Sequence, residues 1–139
     1  MKRNKKDISL EKKLEKTAEK ILAILASEKR VKRKSGTADI FLLGDAEMKG
    51  LKKKFLPREK GPANVLSFSG PDNWPHPETS QKKLGEIYLN QELTNGDLKE
   101  LTPLLIHGIL HLLGYDHKKK SDRMKMEKLE ERLKCEVLC

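Results

Sequence analysis

His107-Gly-Ile-Leu-His111-Leu-Leu-Gly114-Tyr-Asp-His117 is the stretch on which the reading of this chain turns. Two histidines four residues apart lie on one face of a helix and point the same way. A glycine three residues further on can end that helix with positive φ and turn the chain. The third histidine is then carried back towards the first two. Three imidazoles converging on one point make a metal site with a fourth position left for water, the pattern of a catalytic rather than a structural centre. The chain has only four histidines, so three of them in this order is a specific signal.

Around that block the pattern is helical. Leu104, Leu105, Ile109, Leu112 and Leu113 make most of the helix apolar, which predicts a buried, rigid platform for the histidines. Thr102 and Pro103 read as its N-cap and first position, with Asp97 and Glu100 offering an earlier capping box. A structural metal would need a fourth protein ligand. Cys135 and Cys139 are at the far end of another predicted helix and read as idle thiols, reduced as in a cytoplasmic protein.

The spacing matches the H-E-x-x-H-x-x-G-x-x-H of metzincin proteases. Here Gly108 stands in place of their glutamate, the general base. The ligand geometry is therefore preserved while the protease chemistry is impaired.

Working outward, Leu10, Leu14, Ala18, Ile21, Leu22 and Leu25 mark one stripe of an amphipathic helix, with Asp7 or Ser9 as N-cap and a solvated lysine–glutamate face opposite. Lys29-Arg30-Val-Lys32-Arg33-Lys34-Ser-Gly36 is a basic connector. Ala38 to Leu43 reads as a strand. Asp45 can cap a second helix running to Phe55, with Met48, Leu51 and Phe55 facing inward, Lys52, Lys53 and Lys54 at its end and Pro57 as its stop. Asn64 to Phe68 and Gly85 to Asn90 read as two further strands. Between them, the Pro-rich stretch from Ser69 to Glu78 reads as a surface loop, long enough to suggest a flap carrying Trp74 and His76. A last helix, Ser121 to Lys134, packs Met124, Leu129 and Leu133.

The whole of 1–139 reads as one compact α+β domain. Lysine plus arginine is 30 against 21 acidic residues, a net charge of +9, and this favours nucleic acid as the partner. Aromatics are only 4%, so phosphate contacts explain such binding better than base stacking. Met1 to Lys6 are basic, but the nearest apolar run, Ile21 to Ala26, is too short and too late for a signal peptide. No stretch is long enough to span a bilayer, and the expected location is the cytoplasm.

Asn64-Val-Leu-Ser-Phe68, Leu84-Gly-Glu-Ile87 and the histidine block, in this order of helices and strands, resemble the YbeY family of bacterial zinc-dependent endoribonucleases, or rRNA maturation factors. The resemblance covers nearly all of the chain after the first helix. It implies a small mixed β-sheet packed with about four to five helices, a metzincin-like metal cleft, and cleavage of single-stranded RNA in 16S rRNA 3′-end maturation and ribosome quality control at the small ribosomal subunit. It implies one zinc ion, or nickel or another transition metal, held by His107, His111 and His117. The family's arginine, normally directly after an aromatic, is displaced here: Phe55 is followed by Leu56, Pro57 and Arg58, so Arg58 or Lys54 takes its place as the phosphate contact. Glu86 stands where the family usually has aspartate. Asp116 either orients a ligand or caps the turn. Two other functions compete: a zinc hydrolase of a peptide or amide, and a non-catalytic ribosome-associated protein with a structural metal.

Overall fold

Alternation along the strands decides how the layers stack. In the computed structural model, which describes residues 5–28, 38–58, 64–69, 84–115 and 120–138, three strands form one sheet: β1 (Ala38–Leu43), β2 (Val65–Phe68) and β3 (Gly85–Asn90). Their order is β1-β3-β2, with β1 parallel and β2 antiparallel to β3. The sheet is mixed, as expected. Ala38, Ile40, Leu42, Ile87 and Leu89 point to one side. Leu43, Leu66, Phe68 and Tyr88 point to the other. Successive side chains of a strand take opposite faces, and both faces are covered. The central strand β3 is consequently buried along its entire length, as strands covered on both faces are.

The four described helices are α1 (Lys5–Ser27), α2 (Asp45–Phe55), α3 (Leu98–Leu112) and α4 (Lys120–Leu138). The larger core joins α1, α3 and α4 to the first face of the sheet, through Leu14, Ile21, Leu25, Leu101, Leu105, Ile109, Met126, Leu129 and Leu133 among others. On the second face, α2 brings Met48, Leu51 and Phe55 against Leu66, Phe68 and Tyr88. Phe41 stacks on Tyr88 at 4.9 Å between ring centroids, and Phe68 meets Tyr88 edge-on at 5.7 Å. The architecture is α+β, with the sheet sandwiched between α2 and the other three helices.

Several boundaries differ from the sequence reading. Asp7 and Ser9 lie inside α1, which begins at Lys5. Its polar face is not wholly solvated: Glu11 is buried, and its Oε2 accepts the Leu42 backbone N–H at 2.7 Å. That carboxylate satisfies an outward-facing donor of the edge strand β1 that α1 covers from water. The N-cap of α2 is Gly44, with Asp45 as the first helical residue. Asp45 accepts from Asn90 Nδ2 at 2.9 Å and pairs with Lys49 at 3.0 Å. Lys49, and after it Asn90, hold the Asp45 carboxyl below its usual range. In α4 it is Met126, not Met124, that packs beside Leu129 and Leu133, while Met124 is exposed. The helix also runs on to Leu138.

Candidate metal centre

Helix α3 starts at Leu98, with Asp97 as the N-cap, rather than at Thr102 and Pro103. The Asp97 side chain accepts from Lys99 N at 3.0 Å, and its carbonyl accepts from Glu100 N and Leu101 N. Thr102 Oγ1 instead donates back to the Leu98 carbonyl at 2.7 Å, and Pro103 sits inside the helix. A proline there removes one backbone bond, which the well-capped first turn and the buried body of the helix outweigh. Leu101, Thr102, Leu105, Ile106, Gly108, Ile109 and Leu110 are buried. Pro103, Leu104, His107 and His111 are only partly so. Spaced three and four apart, these residues form a half-open stripe of an otherwise enclosed helix.

On that stripe His107 and His111 converge. Their Nε2 atoms are 3.0 Å apart, with the ring planes at 72°. Behind His107 stands Glu130 of α4, its Oε1 3.0 Å from His107 Nδ1. A carboxylate accepts, so with the ring proton on Nδ1 the contact is a hydrogen bond to Glu130 and Nε2 is left as the lone pair on the side of His111. The arrangement fits a cation. Two nitrogens bound tetrahedrally at about 2.0–2.1 Å stand roughly 3.3 Å apart, close to the spacing present. A carboxylate on the far nitrogen is the usual support of a metal-ligating histidine.

The end of α3 is built for a sharp turn. Tyr115 N donates to the Leu110 carbonyl at 2.9 Å and Gly114 N to the His111 carbonyl at 3.0 Å, with Gly114 at φ 97°. This is the paired bonding of a Schellman motif, and it requires the left-handed backbone glycine supplies. Tyr115 then packs against the larger core. His117 and Asp116, two and one residues further on, lie outside the described residues, as do Trp74, His76 and the basic connector of residues 29–37. Among the described residues no group of three His, Cys, Asp or Glu side chains is gathered about one point.

The remaining sequence candidates are dispersed. Arg58 is exposed in the turn beyond α2, and Lys54 is exposed with its Nζ 5.3 Å from the Phe55 ring centroid. Helix α2 covers the face of the sheet opposite to α3. Glu86 is buried on the α2 side, where Tyr88 Oη donates to its Oε1 at 2.8 Å. Cys135 is exposed. Glu130 is the residue the sequence reading passed over. Its one signal is position: it falls on the stripe of Met126, Leu129 and Leu133, where a charge is out of place.

A profile of the endoribonuclease YbeY family matches residues 1–137. The chain belongs to that family. Proteins named endoribonuclease YbeY from Chelativorans and Bradyrhizobium are 38% identical over 99 residues and 34% identical over 120 residues, covering 66% and 78% of this chain. The matched region spans 60% and 70% of those proteins. The one from Anaplasma phagocytophilum is 33% identical over 82% of this chain and 75% of its own length. The solution structure of TM1509 from Thermotoga maritima superposes with a TM-score of 0.52 at 26% identity, covering 91% of this chain and 82% of that one.

Proposed function

We propose that this YbeY-family chain is a zinc-dependent endoribonuclease of single-stranded RNA, acting in the cytoplasm on the 3′ end of 16S rRNA in the small ribosomal subunit. One observation carries the reading: two imidazole nitrogens of α3 face each other at 3.0 Å, with a carboxylate behind one of them. His107, His111 and His117 would hold the ion, and a zinc ion so held supplies Lewis acidity towards a phosphodiester. The protein's own part is positional. The buried helix fixes the two rings, Glu130 stands behind Nδ1 of His107, and Gly114 turns the chain after His111. Arg58, or Lys54 in its stead, would hold a phosphate oxygen, the arginine bidentately. The +9 charge draws RNA to the surface.

A peptidase is disfavoured at Gly108. A Cβ there would meet Ile87 Cγ2 at 3.0 Å and Val65 Cγ2 at 3.3 Å. The position faces the sheet, so a glutamate base there would need Ile87 and Val65 to give way.

The test joins metal and activity. The purified wild type is expected to contain zinc and to cleave single-stranded RNA, and chelation is expected to stop it. His111→Ala is expected to lose both zinc and cleavage while its circular dichroism stays that of the wild type, because His111 contributes little to the core. Unchanged zinc content in that variant would remove the ligand assignment. Cleavage at the wild-type rate after exhaustive chelation would remove the metal dependence.

A further inference from the structure

We propose that Glu130 is the positioning residue of the metal centre, fixing the tautomer and the orientation of His107 from across the α3–α4 interface. The inference rests on the reading of His107 and His111 as ligands. Glu130 Oε1 lies 3.0 Å from His107 Nδ1, and 23 residues separate the two in sequence. The contact exists only because α4 packs along α3 through Met126, Leu129 and Leu133. Glu130 stands four residues after Met126 and three before Leu133, on the same side of the helix. Stability alone does not account for a glutamate there. Its side chain is 29% exposed and that of His107 30%, and a polar contact so open to water contributes little. An apolar residue at that place would extend the packed stripe. What the carboxylate does supply is directional. It accepts the Nδ1 proton, so the ring presents an Nε2 lone pair towards His111, and it strengthens His107 as a donor by the negative charge at its back. His107 cannot then rotate away without losing that bond.

Zinc affinity, measured by competition with a chromophoric chelator, is the first readout. The position of the His107 ring proton, read from the ring ¹⁵N shifts of metal-free protein, is the second, and thermal unfolding is the control. Glu130→Ala is expected to weaken zinc binding roughly 10- to 100-fold and to leave His107 as a mixture of tautomers. Glu130→Gln keeps an acceptor oxygen but not the charge, and is expected to hold the Nδ1–H form with a smaller loss of affinity. Glu130→Leu is expected to weaken zinc binding as alanine does while melting no lower than wild type, which a purely structural role forbids. Glu131→Ala removes the same charge from the exposed neighbouring position and is expected to leave zinc affinity unchanged. If wild type binds zinc and Glu130→Ala binds it equally well, the positioning role is overturned. Equal losses in Glu130→Ala and Glu131→Ala would overturn it too, because net charge alone would then explain them. If the wild type itself binds no zinc, the ligand reading fails first and takes this one with it.

Discussion

Gly108 shows how a single residue separates this site from the peptidases that share its histidine spacing. The helix lies so close to the sheet at this point that an added Cβ would press on the branched side chains of Ile87 and Val65. Two effects compete on substitution. Replacing glycine inside a helix gains a few tenths to about 1 kcal/mol of helix propensity. Overpacking a well-filled core costs typically 1–3 kcal/mol, and burying a carboxylate without a partner adds to that. The second effect wins for a large charged residue. Gly108→Glu is therefore expected to lose about 3 kcal/mol of stability or more, read as a lowered urea midpoint, and to gain no peptidase activity on casein. A variant as stable as wild type would show that α3 can lift off the sheet, and the packing argument against a base at this position would fall.

At the scale of elements, local pattern and long-range contact parted company. The bounds of β1 and β3 and the end of α2 were legible because each is a short apolar or amphipathic run bounded by turn residues, and there the observed spans coincide with the reading, while α2 starts one residue earlier. The histidine helix was legible in its apolar pattern and in Gly114, whose positive φ ends it as expected. Its start was legible as one of two openings: Asp97, the earlier candidate, makes the cap, and Thr102-Pro103, which imitates a helix opening, lies inside the helix. Met126, three residues before Leu129 and seven before Leu133, has the helical spacing that Met124 lacks, so the buried methionine was legible and the sequence reading missed it. Glu130 and Glu11 were not legible, since their partners lie 23 and 31 residues away and only packing brings them together. Glu11 can be tested directly. Without it the Leu42 N–H loses its partner beneath α1, and an unsatisfied buried donor costs about 1–3 kcal/mol. Glu11→Ala is expected to destabilise by that amount and Glu11→Gln by less, since the amide oxygen still accepts. Hydrogen exchange at the Leu42 amide should quicken in the alanine variant. If exchange and stability both stay as in wild type, the bond to β1 is dispensable.

Across the whole molecule, the sheet divides the work. His107, His111 and Glu130 belong to the α1–α3–α4 side, while Lys52, Lys53 and Lys54 end the helix on the other, just before Arg58. Described helices carry mixed charge along their exposed faces, with lysines beside glutamates in α1 and α4. An RNA strand that reaches His107 and His111 and also meets the α2 lysines would have to contact helices from both faces of the sheet. Binding by phosphate contact releases counterions, so the logarithm of affinity falls with the logarithm of salt by about 0.7 for each phosphate neutralised on a single strand. Replacing all three lysines with glutamine is therefore expected to flatten that dependence by up to roughly 2 units, while zinc content and fold are preserved, since none of the three belongs to the histidine site. The slope separates a docking role from a general one. A loss of affinity with the slope unchanged would mean that the lysines act through the long-range field alone, and no change in either would place the RNA path wholly on the histidine side of the sheet.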